Sequence, residues 1–300
     1  MVSVTEATQN GSSADGPKVS ELTPGQVFTG RYAVARKDRA TSKNGNAYLN
    51  LELRDRTGSI PARIFRDVDQ LGLRFNQGDA IRVRGKVERF RGVLSAELEA
   101  VEKIDGDIDP TEFIPVAYRD SEELEGFLEH LTREVHDPVL KGVVEGAIFT
   151  GPAAAEFRRA PCTRNGHHSY LGGLMEHTVA VGTLVTETCI LHPKLNSDLL
   201  MAAALVHDVG KTGEFDYGAE IELTERGQML GHLQMGAEII TAASEGIDEE
   251  RQTALLSCVM CHHGTDALRL RRFPSAEAIA LYRLNALDAG IKTALEHGIN

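Results

Sequence analysis

An adjacent His-Asp pair at the end of an apolar run constrains this chain more than any other feature. Residues 202–206 (AAALV) lead directly into His207 and Asp208. Alanine and leucine are strong helix formers, and a helix that is apolar on all sides is buried. Burying an imidazole and a carboxylate there is costly unless each finds a partner, and a divalent cation can partner both. An isolated pair is more often a hydrogen-bonded core histidine beside a helix-ending Asp, so further ligands decide the interpretation.

Five more side chains that can ligate a metal lie at helical spacing among apolar residues. His177, for example, shares the i, i+3, i+7 face of a predicted helix with Leu174 and Val181. Together with the His-Asp pair, the set occupies five predicted helices and comprises His177, His207, Asp208, His232, His262, His263 and Asp288. One such residue is usually structural, but seven in this pattern predict a metal centre.

Seven ligands are more than one ion needs, so the sequence predicts two divalent ions. We assign the first to His177, His207, Asp208 and Asp288, and the second to His232, His262 and His263, with Asp208 able to bridge both. Two ions about 3.5–4 Å apart can stabilise the attacking and leaving oxygens of a phosphoryl transfer. Mixed His and carboxylate ligands suit Mn²⁺, Fe²⁺, Co²⁺ or Ni²⁺ better than Mg²⁺, which prefers oxygen ligands.

Lys211 lies about one helical turn beyond Asp208, where its ammonium can contact a phosphate oxygen. We therefore predict a catalytic role for Asp208 and Lys211. A solvated lysine near a helix C-terminus is an equally good explanation of the spacing, because the helix dipole favours a cation there.

The segment from about residue 27 to residue 104 has a different pattern, in which apolar and polar residues alternate with period two. It predicts strands at 27–36, 47–54, 60–65, 80–90 and 93–101, with a short helix at 68–73. Five strands with a helix between the third and fourth resemble an OB-fold, which binds nucleic acids and oligosaccharides.

The outward positions of these strands carry basic and aromatic residues, which suit phosphates and unpaired bases respectively. The candidates for nucleic-acid contacts are Tyr48, Arg54, Arg63, Phe65, Arg82, Arg84 and Lys86. A solvated strand surface is the plainer alternative. The charge distribution favours binding, because residues 25–95 hold fifteen Lys/Arg against seven Asp/Glu in a chain of net charge −12.

The chain divides by composition into four predicted segments. Residues 1–18 form a disordered tail, 19–105 the β-rich domain, 106–120 a linker and 121–300 an all-α domain. Helices are predicted at 121–135, 138–149, 152–159, 171–191, 197–207, 231–244, 249–263 and 275–297, with a short hairpin around 215–223. Four cysteines and the lack of an apolar run near the ~18 residues of a membrane span predict a cytoplasmic protein that binds no membrane.

Three motifs resemble a known family. The order of His177, the His207-Asp208 pair and Asp288 resembles that of the HD-domain metal phosphohydrolases. The longer stretches 167–178 (HHSYLGGLMEHT), 207–211 (HDVGK) and 262–264 (HHG) resemble, more narrowly, the YhaM-type bacterial 3′→5′ exoribonucleases. The resemblance implies a multi-domain fold, with a small all-β OB-fold barrel followed by an all-α HD domain.

The resemblance also implies an activity and its substrate. It implies a metal-dependent 3′→5′ exoribonuclease that degrades single-stranded RNA to nucleoside 5′-monophosphates, with single-stranded DNA as a further candidate substrate. It favours manganese and makes His167 and His168 candidate substrate contacts. It is also compatible with a homo-oligomer.

Three alternatives stay open. A cyclic-dinucleotide phosphodiesterase of the HD-GYP type has a similar ligand order, but this chain has Gly264-Thr265-Asp266 after its His pair, and Gly173 where those enzymes can carry a Glu ligand. A nucleotide phosphohydrolase would not need an OB-fold. A non-enzymatic nucleic-acid-binding protein would not need seven metal ligands.

Overall fold

A computed structural model of the chain describes residues 16–90 and 92–298. Of the predicted tail, residues 1–18, the first fifteen residues therefore lie outside the described residues. The chain separates into two compact units. The first comprises Met1–Pro115 with Tyr217–Glu220, and the second comprises Val116–Asp216 with Ile221–Asn300.

The first unit is a closed five-stranded barrel with the strand order β1-β2-β3-β5-β4. Its strands are β1 (Val27–Thr41), β2 (Ala47–Asp55), β3 (Gly58–Ile64), β4 (Ala80–Phe90) and β5 (Val93–Lys103), and the short helix α1 (Val68–Gly72) follows β3. This architecture confirms the predicted OB-fold. The inward residues of the alternating pattern, such as Leu51, Leu53 and Ile64, are at most 2% exposed and fill the barrel.

Strand β1 extends five residues beyond its predicted end at residue 36. Its first half pairs with β4 up to Ala33, and its second half pairs with β2 up to Thr41, with a register shift between Val34 and Arg36. A strand that bends at such an irregularity can serve two neighbours and close the barrel. Residues 37–41 (KDRAT) lack a regular apolar alternation, so their strand conformation depends on pairing that the sequence pattern does not predict.

The second unit is helical apart from one short hairpin, as predicted. Its elements are α2 (Ser121–Arg133), α3 (Pro138–Glu145), α4 (Ala154–Arg159), α5 (Gly173–Leu191), α6 (Ser197–Val206), α7 (Lys211–Glu214), β6 (Phe215–Tyr217), β7 (Ile221–Leu223), α8 (Glu225–Ala243), α9 (Glu249–Met260) and α10 (Ala276–His297). The last residue of β6 and the turn of the hairpin, Tyr217–Glu220, are the part that belongs to the first unit. None of the described helices is long and apolar enough to cross a membrane.

Helix α6 is the most buried element of the helical unit. All residues from Leu199 to Val206 are at most 8% exposed, and burial continues through His207 to Lys211. Helix α8 begins at Glu225, six residues before its predicted start, because Thr224 caps an additional first turn by accepting from the Gly227 N–H. The predicted start at Gly231 coincides with a break in α8, where that glycine has φ 69°.

Candidate metal centre

The predicted ligands come together where five helices of the second unit meet. His177 lies in α5, the His207-Asp208 pair directly follows α6, and His232 follows the break at Gly231 in α8. His262 and His263 lie just beyond the end of α9, and Asp288 lies in α10. The helical spacing therefore placed all seven side chains in the same region of the fold.

Asp208 stands between two groups of histidines. Its Oδ2 lies 3.3 Å from His207 Nε2 and 3.7 Å from His177 Nε2. Its Oδ1 lies 3.3 Å from His262 Nε2 and 3.7 Å from His232 Nε2, and His232 Nε2 is 3.0 Å from His263 Nε2. The two oxygens of Asp208 thus face the two groups of histidines that we assigned to separate ions from the sequence.

Two buried atoms at the centre of this cluster, Asp208 Oδ1 and His262 Nε2, have no hydrogen-bond partner among the described residues. Buried polar atoms are nearly always satisfied, so this gap fits a cation between them. The ring orientation fits as well, because the Nδ1 atoms of His207 and His262 donate to the carbonyls of Ala204 and Val259 at 2.8 and 2.6 Å. Each Nε2 lone pair is then free to ligate a metal.

The electrostatics of the cluster favour neutral histidines around an ionised carboxylate. Burial lowers the pKa of His262 to about 3 and that of His263 to about 4. Burial alone would raise the pKa of the Asp208 carboxyl, but Lys211 and His207 lower it well below its usual range. Neutral imidazole and ionised carboxylate are the forms that bind metal, so the donor set suits divalent cations.

Lys211 is buried in the cluster and makes close contact with Asp208. Its Nζ lies 2.7 Å from Asp208 Oδ2 and 3.4 Å from Cys162 Sγ, and the residue is only 4% exposed. Burial would lower the pKa of this ammonium, but the nearby Asp208 carboxylate raises it above its usual value. A fixed positive charge therefore lies on the Oδ2 side of the carboxylate.

Asp288 lies behind His177 rather than beside Asp208. Its Oδ2 accepts from His177 Nδ1 at 2.7 Å, whereas His177 Nε2 is the atom that faces Asp208. In α10 it shares a buried face with Leu281 and Asn285, which points the carboxylate at the back of the imidazole ring. This geometry orients His177, and direct ligation by Asp288 stays a prediction.

In the barrel, the predicted nucleic-acid contacts fall into two groups rather than on one continuous face. Tyr48 of β2 and Phe65, next to the end of β3, place their ring centroids 5.5 Å apart, and Arg63 precedes Phe65 on the same face. Phe65 is 46% exposed, and Tyr48 is partly exposed. These neighbours form a partly exposed aromatic surface with a basic residue beside it.

The exposed basic residues of β4 lie one strand away, because β1 and β5 separate β4 from β2 and β3. They are Arg82, Arg84 and Lys86, and acidic residues of β5 face them, with Glu99 3.0 Å from Arg84. Arg54 forms an ion pair with Glu220 at 2.6 Å within the first unit. The alternation in the sequence predicted that these side chains lie outside the barrel. It did not predict that they are separated from one another on its surface.

Comparison with known families agrees with both units. The model of the HD domain matches residues 174–290, and the model of the OB-fold nucleic acid binding domain matches residues 28–104. The chain is an OB-fold and HD-domain protein.

Curated relatives align with most of this chain. The 3′-5′ exoribonuclease YhaM of Oceanobacillus iheyensis is 29% identical over 249 residues, covering 81% of this chain and 77% of the relative. The proteins of the same name from Listeria welshimeri and Bacillus subtilis are 24% and 26% identical over 259 and 256 residues. Each alignment covers 84% of this chain, and 82% and 81% of the respective relative. These relatives confirm the YhaM-type resemblance that the motifs indicated.

His168, a predicted substrate contact, is 2% exposed within the HD domain and uses both ring nitrogens. Its Nδ1 lies 2.7 Å from the Tyr170 hydroxyl, and its Nε2 lies 3.0 Å from Asp288 Oδ2. Tyr170 in turn donates to Glu176 Oε2 at 2.9 Å, and Lys292 contacts Glu176 Oε1 at 3.1 Å. This chain of contacts ends on the carboxylate that orients His177, so the geometry supports a positioning role.

His167 is only half-buried and lies closer to the metal-ligating atoms. Its ring centroid is 5.0 Å from that of His177, and its Nε2 lies 3.6 Å from Cys162 Sγ. Burial lowers the pKa of His167 to about 3, so the ring is neutral. Its accessibility is compatible with the predicted contact to substrate, which stays a prediction.

Three residues of the site were missed from the sequence. Asn285 lies with its Oδ1 3.0 Å from His177 Nε2, and its Nδ2 donates to the His262 carbonyl at 3.2 Å. Glu214 Oε1 accepts from both the backbone N–H and the Nδ1 of His232, each at 3.1 Å. Cys162 is fully buried beside Lys211. Only Asn285 was detectable, as a polar residue three positions before Asp288 in an apolar helix.

Proposed function

We propose that this chain is a metal-dependent 3′→5′ exoribonuclease that degrades single-stranded RNA to nucleoside 5′-monophosphates. The observation that carries the proposal is the arrangement of Asp208, whose two oxygens face separate histidine groups and leave buried atoms unsatisfied. The presence of an OB-fold nucleic acid binding domain in the same chain supports a polynucleotide substrate. The name of the curated relatives supports the 3′→5′ direction.

The proposed cofactor is a pair of divalent ions, with Mn²⁺ favoured and Fe²⁺, Co²⁺ or Ni²⁺ as alternatives. His177, His207 and Asp208 would hold one, and Asp208, His232, His262 and His263 the other, in line with the clusters of ligand atoms in the HD domain. Bound there, such ions supply positive charge that stabilises phosphoryl oxygens during hydrolysis. The mixed nitrogen and oxygen donors favour the four transition metals over Mg²⁺.

The residues of the chain have distinct tasks in this proposal. Lys211 adds a fixed charge beside Asp208, which attracts the phosphate of the substrate. Glu214 and Asp288 hold the rings of His232 and His177 in place by accepting from their Nδ1 atoms. Tyr48 and Phe65 stack on unpaired bases, which contributes about 1–3 kcal/mol per base. The four free cysteines support a cytoplasmic location.

The deciding experiment follows the degradation of one single-stranded RNA labelled at either end. A 3′→5′ exonuclease produces a ladder of shortening products from the 5′-labelled strand and releases a labelled mononucleotide at once from the 3′-labelled strand. EDTA should abolish both, and added Mn²⁺ should restore them. The Asp208→Ala protein, purified in parallel, controls for a contaminating nuclease.

The same series separates the alternatives. Single-stranded DNA of the same sequence measures sugar preference, while a cyclic dinucleotide and a nucleoside triphosphate test the other HD-type activities. Hydrolysis of the small substrates without degradation of RNA would contradict the proposal. So would internal cleavage products, or a 3′ label that stays on long fragments.

A further inference from the structure

A short basic loop follows the last histidines of the metal centre. It comprises residues 264–275, between His263 and the first residue of α10, and contains Arg269, Arg271 and Arg272. All three arginines are exposed. The basic loop is thus tied covalently to the ligand pair His262-His263.

In the part of the chain that the structure describes, these arginines differ from most others of the helical unit, because no carboxylate forms an ion pair with them. Within residues 16–90 and 92–298, no ion pair joins any of the three guanidinium groups to Asp or Glu. By contrast, Arg119, Arg133, Arg158, Arg159, Arg226 and Arg251 each pair with an acidic side chain. Although the loop also carries Asp266, three neighbouring cations that form no ion pair attract an anionic ligand.

The surrounding sequence makes this concentration of positive charge unusual. Residues 116–300 contain 27 Asp/Glu and only 15 Lys/Arg, so most of the helical unit repels a polyanion. The basic loop holds three of those fifteen cations within four residues. The phosphate backbone of a strand that approaches the metal centre would therefore be attracted to the basic loop.

The basic loop is an ordered turn rather than a flexible tail. The Arg269 N–H donates to the Asp266 carbonyl at 3.0 Å, and the Leu270 N–H donates to the Thr265 carbonyl at 3.1 Å. Near its end, the ring of Phe273 lies 5.3 Å from that of Tyr282 in α10. Arg269 has φ 53°, a left-handed conformation that residues other than glycine rarely adopt.

The length of the connection limits how far the arginines can lie from the metal ligands. Arg269 and Arg272 follow His263 by six and nine residues, and each residue spans at most about 3.6 Å, so their Cα atoms lie within about 22 and 32 Å of the His263 Cα. A single strand with its end at the metal centre covers that distance with a few nucleotides.

We propose that the basic loop binds the phosphates of the RNA strand a few nucleotides before the end that is hydrolysed. It is a second nucleic-acid contact, distinct from the OB-fold and located on the HD domain itself. The inference rests on the proposed exoribonuclease function. Its ligand is the sugar–phosphate backbone, so it adds affinity without preference for base sequence.

The test compares two triple variants of the full chain with wild type. Arg269→Gln, Arg271→Gln and Arg272→Gln are combined in the first variant. The matched control combines Arg119→Gln, Arg133→Gln and Arg159→Gln, which removes the same charge from ion-paired arginines of the same unit. Binding of a fluorescent single-stranded RNA is measured in EDTA, to prevent hydrolysis, over a series of salt concentrations.

Each phosphate contact contributes about −0.7 to the slope of log K against log salt for a single strand. Loss of three contacts should therefore make the slope of the loop variant shallower by about 2, and the control should keep the wild-type slope. Both variants should keep the melting temperature and its increase with Mn²⁺, which excludes damage to the metal centre. An unchanged slope in the loop variant, or an equal change in the control, would overturn the proposal.

Two further measurements separate the test of the basic loop from the test of the proposed function and from binding to lipid. Wild-type degradation of RNA is followed in the same series, and its absence would overturn the proposed function, while the salt slope still judges the basic loop. Leu268 and Leu270, 37% and 39% exposed, alternate with the arginines, so vesicles with anionic phosphatidylglycerol are tested as a competing ligand. Loss of vesicle binding with an unchanged RNA slope would also overturn the proposal.

Discussion

Replacing Tyr170 by Phe tests whether the buried network of the HD domain positions the metal ligands. The substitution removes only the hydroxyl, which donates to Glu176 Oε2 at 2.9 Å and lies 2.7 Å from His168 Nδ1. The hydroxyl stays protonated and can donate, because burial and the Glu176 carboxylate raise the pKa of Tyr170. His168 then loses one of its two ring contacts and holds Asp288 less firmly.

The magnitude follows from the two contacts. A buried polar group left without a partner costs about 1–3 kcal/mol, and a hydrogen bond to a charged group contributes about 1.5–3 kcal/mol. Glu176 keeps its contact with Lys292, so we expect the free energy of unfolding of the HD domain to fall by about 2–4 kcal/mol. Loss of such outer contacts typically weakens metal binding by about 10–100-fold.

Metal-dependent stabilisation gives the decisive measurement. At a metal concentration about 100 times Kd, wild type gains about 2.7 kcal/mol, and a 10–100-fold weaker Kd reduces that gain to about 0.4–1.4 kcal/mol. The chain has no Trp, so urea unfolding is followed by the circular dichroism of the helices, with and without Mn²⁺.

Tyr32→Phe is the matched control. It removes a buried hydroxyl in the OB-fold, which donates to the Pro17 carbonyl at 2.5 Å, and it should leave metal-dependent stabilisation unchanged. Equal gains from Mn²⁺ in the Tyr170→Phe protein and in wild type would refute the positioning role.

Four further variants test other features of the protein. Asp208→Ala should abolish RNA hydrolysis and lower the metal content, while RNA binding in EDTA stays near wild type; full metal occupancy would contradict the bridging assignment. Lys211→Ala should lower kcat by about 100-fold with little loss of metal, since it stabilises phosphate charge; an unchanged kcat would exclude that role. Tyr48→Ala with Phe65→Ala should weaken RNA binding by about 2–6 kcal/mol in a fluorescence titration if each ring stacks on a base; unchanged affinity would argue against stacking. Asp137→Ala should destabilise the HD domain by about 1–2 kcal/mol in urea, because the carboxylate caps α3. Burial opposes ionisation, but hydrogen bonds lower the Asp137 pKa, so this stabilisation is complete above the ordinary value of 3.8 and the difference from wild type disappears as the pH falls below it; a difference that persists in acid would show another cause.

The sequence by itself determined the kind of the main elements and identified the seven candidate metal ligands that lie in one region of the helical unit. The alternation around Leu51 and Leu53 predicted a barrel because strand residues two apart point the same way. The apolar residues before His207 predicted a buried helix, and five further ligands at helical spacing predicted a metal centre beside the His-Asp pair. These conclusions depend on local periodicity. A strand or helix shows the same periodicity in any fold that buries one of its faces.

Only the tertiary structure decided which atoms meet. Periodicity assigns a residue to a face, but the packing of five helices placed Asp288 behind His177 and set the two oxygens of Asp208 against different histidines. Likewise, the alternation placed Tyr48 and Arg84 outside the barrel, but the strand order put β1 between their strands. Distances across elements depend on strand order and helix packing, which join residues far apart in the chain and leave no periodic trace in it.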